Sequence, residues 1–549
     1  MSPIPLGLSI SVTFISAITV IGLPTEAYVF GLIAAWYSLS TVGGTIFACI
    51  YYIPLYHRLK LTTVYEYLEM RFHKRNRVFA SGMETFSLLL YMGTTVYVPA
   101  LALSAVTPMS TNMAIVVTSS ICTIYTVCGG LKAVVWTDAL QSGIMFVGSL
   151  AAFIQGTVVV GGFGNVWKAL ERSGRVNFWV FDLDPRIRPF WSLMVGASMS
   201  RVQLACCNQS ICQRYLSCKS AKDARIAAIF SVAPKIVLTL IAIACGAAAY
   251  AYFEHCDPLK NGDIHKSDQI LPYMVLKIFS DLPGMAGLFV AAAYSGTLST
   301  VSSGINSLSA MVLEDFILPR KPHMSTTAQM TTSKVTGIIM GVVLTTVAYL
   351  CSMTTGTVLA LVSTFRGSCG GPMLAVYTLG LFFPWCNGIG ALAGQLVGTT
   401  FCLWIGLGGL IYGRDPKYLR KLPTQTDGCL SPTTLNSSLV DIHSNTTWIY
   451  DTKETTYSDL YSISFMYFSM IGFIITIFIG LLVSFATGAN DPKKMDPKVF
   501  VPIIDNQCFP KNIRHFFRFG VPMPKPENDF KIGNTEELEK FKSKESECG

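Results

Sequence analysis

YSGTLSTVSSGINSLSA, Tyr294 to Ala310, lies inside a long apolar segment that begins near Pro283. Eight of its residues are Ser or Thr: Ser295, Thr297, Ser299, Thr300, Ser302, Ser303, Ser307 and Ser309. Hydrocarbon penalises unpaired polar groups, so a membrane helix this rich in hydroxyls is expected to face something polar. On a helix, Ser295, Ser299, Ser302 and Ser303 share one face. A column of neutral oxygens suits a small hard cation such as sodium. One or two hydroxyls would be explained by bonding back to the carbonyl four residues earlier, or by gluing helices together. A cluster of this size tips the balance toward an ion.

The rest of the chain supplies the membrane context. Its 549 residues are 51% hydrophobic and only 13% charged, about half the charge of a soluble domain. We count twelve apolar segments of membrane length, near 4–29, 31–56, 79–105, 112–128, 134–161, 190–216, 226–253, 282–313, 335–355, 357–384, 388–412 and 460–487. The expectation is an all-α integral membrane protein. Its net charge of +9 belongs to loops and tail, and so speaks to topology and lipid rather than to nucleic acid.

Topology follows from short loops. Loop 57–78 carries Arg58, Lys60, Arg71, Lys74, Arg75 and Arg77 and is expected in the cytoplasm, as is the basic loop Ser217–Arg225. Loop 413–459 then falls outside, in agreement with its glycosylation sequons at Asn436 and Asn445. Both termini come out cytoplasmic, and 488–549, rich in Lys, Pro and Glu, reads as a mostly disordered tail. Loop 162–190 fits least well, being expected outside with five basic residues.

Catalytic signatures are absent from the sequence: there is no P-loop, dinucleotide fingerprint, HExxH or GxSxG elbow. All seven histidines fall in expected loops or tails, which argues against a zinc site or a buried proton relay. Among the 16 cysteines, Cys256 and Cys429 lie in two expected outer loops, where a disulfide and two free thiols are equally compatible with the sequence.

Two segments resist reading as continuous helices. The first ends Gly22-Leu23-Pro24 and carries Ser9, Ser11, Thr13, Ser16 and Thr19; the sixth carries Ser198, Ser200, Arg201, Gln203, Asn208, Gln209 and Ser210. Broken helices five segments apart point to two inverted five-helix halves with the binding site at the breaks. Two ordinary polar helices in a bundle would leave the same trace.

Several motifs carry a resemblance. GGLKAVVWTDALQ (Gly129–Gln141), TVYEYLEMRF (Thr63–Phe72), YVPALAL (Tyr97–Leu103), CNQSICQRYLSCKS (Cys207–Ser220), PGMAGLFVAAAYSGTLSTVSSGIN (Pro283–Asn306) and Gly370–Pro372 together resemble the sodium:solute symporter family. The likeness is greatest to the branch of sodium-coupled monocarboxylate, multivitamin and iodide carriers. It runs from about Pro3 to Gly488. It implies a LeuT-like five-plus-five inverted repeat, with halves near 4–161 and 190–384 and extra helices at 388–412 and 460–487. The family's usual additional helix ahead of the first core helix is not matched; the chain starts directly at the core. Carried over, the sodium ligands are the carbonyls of Val12 and Ile15 and the hydroxyls of Ser299, Ser302 and Ser303, with Asp138 on the inner ion path. The solute-site candidates are Ser16, Thr19, Tyr97, Asn208, Gln209, Thr364 and Arg366. Thr19 stands where monocarboxylate carriers have Thr and iodide carriers Gln.

Arg201, Lys235 and Arg366 are unexpected in membrane helices. They imply either an anionic solute as partner, ion pairs with Glu84 or Asp138, snorkelling, or damage to transport. The resulting expectation is a plasma-membrane symporter of small monocarboxylates, with sodium as coupling ion and no other cofactor. A biotin, pantothenate or iodide carrier is the alternative within the family. A non-transporting sensor or a sodium-leak channel on the same fold is the alternative of another class.

Overall fold

The computed structural model describes residues 3–187, 190–353, 358–412, 418, 420–429, 459–500 and 518–522. Its architecture is helical. Nine helices among the described residues are long and apolar enough to cross a membrane; with three further elements, at 3–30, 192–216 and 358–382, twelve are numbered here in chain order. α1 is in two halves, Pro3–Val12 and Ile18–Phe30. α2 is Leu32–Leu59, α3 Lys74–Ser104, α4 Thr111–Gly130 and α5 Ala133–Val159. α6 is again split, at 192–207 and Gln209–Leu216. α7 is Ala221–Tyr252, α8 Met285–Ile317 and α9 Thr326–Ser352. α10 is Val358–Phe382, α11 Gly388–Ile411 and α12 Phe465–Ala486.

The breaks have local causes. In α1 the helix stops at Val12, and the Ser16 hydroxyl accepts from the Ile18 amide at 3.2 Å, starting the second half. In α6 Asn208 leaves the helical region (φ −87°, ψ 124°), and its side chain accepts from the Ser210 amide at 3.0 Å. Asn208 is thus an N-cap inside an apolar segment. Between α4 and α5, Gly130 takes φ +63°, a left-handed conformation glycine adopts without strain.

Several segment bounds move. α9 begins nine residues before the apolar stretch at 335, because Ser325 caps it and a polar turn carries the helix out of the apolar layer. α3 likewise starts at Lys74, after a His73 cap. α12 starts at Phe465; before it the chain bends, and the Ser464 amide donates to the Pro185 carbonyl. His57, expected in a loop, lies in the helix Ile53–Leu59, its Nε2 3.0 Å from the Tyr215 carbonyl.

The tail's first residues are docked rather than free. Val499 and Phe500 are buried, Arg58 donates to the Phe500 carbonyl at 2.6 Å, and the Tyr67 hydroxyl donates to the Val499 carbonyl. An apolar pair within a polar tail is enough to hold it against the bundle. Cys256 and Cys429 are joined by a disulfide. Asn436 and Asn445 lie outside the described residues.

Candidate functional site

α8 crosses close to the break of α1 because Gly296 has no side chain there. A Cβ at that position would sit 2.9 Å from the Ser16 carbonyl carbon and 3.0 Å from the Ala17 nitrogen. The next turns of α8 therefore present Ser299, Ser302 and Ser303, all buried, toward the first half of α1. The Val12 carbonyl accepts from the Ile15 amide in a tight turn at 3.1 Å. It keeps a second lone pair for another partner.

Asp138 completes the cluster from α5. It is fully buried, with Oδ2 accepting from Ser9 Oγ at 2.5 Å and Oδ1 from Ser299 Oγ at 2.6 Å. Its counter-charge is Arg214, from the second half of α6, at 3.0 Å. The same guanidinium donates to Ser9 Oγ at 2.7 Å, to Ser303 Oγ at 2.6 Å and to the Ser210 carbonyl at 2.5 Å. One ion pair thus ties both broken helices to α5 and α8. Ser302 points its hydroxyl back to the Ser299 carbonyl at 3.2 Å.

Sequence reasoning placed Asp138 here but missed Arg214, which was read as part of a motif and given no role. The signal was present: an arginine six residues after the break at Asn208, on a half-helix facing the same centre as Asp138. Of the partners considered for Arg201 and Arg366, Asp138 is ruled out because it is engaged by Arg214. Glu84 accepts from Asn208 Nδ2 and lies close enough to Arg366 for their opposite charges to attract.

A cavity of about 90 Å³ opens beside the cluster, between the breaks of α1 and α6 and the face of α10. Ser16, Thr19 and Arg366 line it, together with Tyr91, Ser200 and Arg201. The Arg366 guanidinium carbon lies 4.8 Å from the Tyr91 ring centroid and 5.1 Å from that of Phe14. Its buried Nη1 has no hydrogen-bond partner among the described residues. No acidic side chain lines the cavity.

The other four solute candidates lie off this cavity. Tyr97 accepts from Lys266 Nζ at 2.7 Å, one helical turn and more from Tyr91 along α3. Asn208 is used as the α6 cap and as the donor to Glu84. Gln209 braces the segment after α2, accepting from the Val64 amide at 3.0 Å and donating to the Thr62 carbonyl at 3.2 Å. Thr364 is buried toward α11, where its Cγ2 would meet a Cβ on Gly406. Proximity to a break in sequence did not fix which side of the helix each residue occupies.

Comparison with known proteins agrees with this layout. The chain is 38% identical over 506 residues to sodium-coupled monocarboxylate transporter 2 of Mus musculus, spanning 92% of this chain and 80% of that protein. It is 36% identical over 504 residues to sodium-coupled monocarboxylate transporter 1 of Homo sapiens, spanning 91% and 82%. The sodium/iodide cotransporter of Homo sapiens is 35% identical over 507 residues, spanning 90% and 79%. Among solved structures, a sodium-coupled sialic acid symporter in a substrate-bound outward-open state superposes with a TM-score of 0.69 at 23% identity, covering 89% of this chain and 91% of that one. That likeness establishes the fold. The profile of the sodium:solute symporter family matches residues 1–398, well over half of the chain. On these matches the chain belongs to the sodium:solute symporter family.

Proposed function

We propose that this transporter couples sodium entry to the movement of small monocarboxylates, such as lactate, pyruvate or short-chain fatty acids, across the plasma membrane. The observation that carries this reading is Arg366. A buried guanidinium with no hydrogen-bond partner at Nη1 among the described residues, facing a cavity whose lining carries no acid, suits an anion beyond the charge that nearby Glu84 provides. A carboxylate meets it with two parallel hydrogen bonds. The cavity's size narrows the choice. At about 90 Å³ it is far below the ~300–1,000 Å³ that drug-sized ligands occupy, which favours a short acid over biotin or pantothenate. Thr19 on its wall and the two monocarboxylate-transporting relatives point the same way.

Sodium is assigned to the adjoining cluster, held by the carbonyls of Val12 and Ile15 and the hydroxyls of Ser299, Ser302 and Ser303, with Asp138 supplying negative charge. Its arrival draws the first half of α1 onto α8. Because Ser16 and Thr19 follow directly on the chain, that movement shapes the solute cavity. The driving force is the sodium gradient plus about 2.3 kcal/mol per charge per 100 mV of membrane potential. Loop 413–459 is assigned to the outer face, with sugar on Asn436 and Asn445.

The test is two-electrode recording and isotope uptake in expressing cells, with lactate, butyrate, nicotinate, biotin and iodide. Sodium-dependent current and accumulation with the short acids are expected. Current with iodide alone, or sodium leak without accumulation of any solute, would replace the proposal with the corresponding alternative. Within that assay Ser302→Ala is expected to raise the sodium concentration for half-maximal current about five- to tenfold, the loss of roughly one hydrogen-bond-sized interaction. Arg366→Met is expected to raise KM for lactate at least about thirtyfold, as truncation of a buried charge partner does, while sodium leak persists.

A further inference from the structure

A second cavity adjoins the solute cavity, sharing Phe14, Thr19, Arg201 and Leu204 with it, and lies between α1, α2, α6 and α7. It is about 30 Å³, room for one or two water-sized particles and too small for an organic acid. Two cations face it, Arg201 and Lys235, with the hydroxyl-bearing residues Ser11, Thr19, Thr41, Thr45 and Thr239 around them; none of its lining residues is acidic.

Lys235 lies 14 residues into α7, about 21 Å from that end at 1.5 Å per residue and farther still from the other. Neither end is within reach of its stem, so it cannot snorkel to water. Its ammonium group has three protons to donate, yet among the described residues it meets only Ser231 Oγ, at a long 3.3 Å. Arg201 stacks on Tyr37, 4.3 Å from the ring centroid, and makes no hydrogen bond among the described residues. The Ser11 and Thr45 hydroxyls are satisfied by backbone carbonyls. Those of Thr41 and Thr239 have no such partner among the described residues, leaving two donors beside two sparsely bonded cations.

Two like charges and two unused donors around a water-sized space form an anion site. We propose that this cavity holds one monatomic anion of the halide class, distinct from the transported solute, that offsets one of the two positive charges of Arg201 and Lys235. The solute remains the ligand of Arg366. Arg201 also lines the solute cavity, so an ion held behind it fixes one wall of that cavity.

The test uses the full chain purified in detergent, with no solute present. Thermal unfolding is followed at constant sodium while chloride or bromide replaces isethionate, which exceeds the cavity. A halide-dependent rise in the unfolding midpoint, saturating with concentration, is expected. Lys235→Met is expected to raise the half-saturating chloride concentration at least about tenfold, the effect of removing one buried charge partner, and Lys235→Arg to retain it. Equal midpoints in chloride, bromide and isethionate would overturn the proposal, and so would a Lys235→Met protein with the wild-type halide dependence. If Lys235→Met does not fold, Thr239→Val replaces it. A weakened halide response in that variant supports the site, and an unchanged one removes it.

Discussion

Asp138 and Arg214 show how one residue pair can hold several elements. Both are buried, and every polar contact of the pair lies on α1, α5, α6 or α8. Removing one partner leaves a lone charge in a medium that does not solvate it, which is typically destabilising by about 3–5 kcal/mol. Asp138→Asn is therefore expected to lower the unfolding midpoint and surface expression sharply. Asp138→Asn combined with Arg214→Gln is expected to recover part of the midpoint but none of the sodium dependence. Thermal unfolding and sodium titration of the three proteins check this. If the double variant were no more stable than the single one, the pair would not be the source of the loss.

Hydroxyl count alone overstated the ion site. Thr297 donates to the Thr95 carbonyl on α3 at 3.1 Å, and Ser307 to the Ser303 carbonyl at 2.9 Å. These perform the helix-packing and back-bonding roles that any membrane serine can adopt. Ser302 bonds back in the same way, to the Ser299 carbonyl, whereas the buried Thr300 hydroxyl has no hydrogen-bond partner among the described residues.

At the scale of the element, close approach depends on residues without side chains. Gly296 brings α8 onto the α1 break, and Gly246 of α7 packs on the second half, where a Cβ would lie 2.2 Å from the Pro24 carbonyl oxygen. Backbone atoms cannot swing aside as a flexible side chain does. Gly296→Val is expected to be destabilising by about 1–3 kcal/mol through overpacking. It is also expected to raise the half-maximal sodium concentration more than Ser302→Ala, because it displaces the whole break rather than one ligand. Sodium titration of the two variants side by side decides the order. A Gly296→Val protein with wild-type sodium dependence would show that this crossing does not set the site.

Across the whole molecule, loop segments far apart in sequence are linked to one another. The disulfide Cys256–Cys429 closes 173 residues of sequence. Loss of such a link typically lowers stability by about 2–4 kcal/mol. Cys256→Ser is expected to lower the unfolding midpoint, with dithiothreitol reproducing the shift in the wild type and adding nothing to the variant. A further shift of the variant in dithiothreitol would point to another bond. Nearby, the segment after α5 carries the basic residues that fitted poorly with an outer location. Arg175 is buried against Tyr250, its guanidinium carbon 3.5 Å from the ring centroid, and donates to the Tyr28 carbonyl at 2.8 Å. Arg172 pairs with Glu254 at 2.8 Å, and Arg186 with Asp184 and Asp459, each at 2.9 Å. Counting charge by loop treats these side chains as free in water, whereas the fold has neutralised or buried them.

The sequence by itself determined the membrane class, the poor fit of the first and sixth segments to continuous helices, and the hydroxyl-rich face of α8. Each of these is written in local signals: apolar length, interruption by polar residues, and spacing on one helical face. Tertiary structure alone decided that the helices stop at Val12 and Asn208, that Arg214 answers Asp138, that Tyr97, Asn208, Gln209 and Thr364 lie off the cavity while Arg366 lines it, and that Arg201 and Lys235 line a second cavity. Those outcomes depend on how helices far apart in sequence are rotated about their axes when they pack. In a membrane, where apolar surface does not distinguish lipid from core, hydropathy carries no record of that rotation.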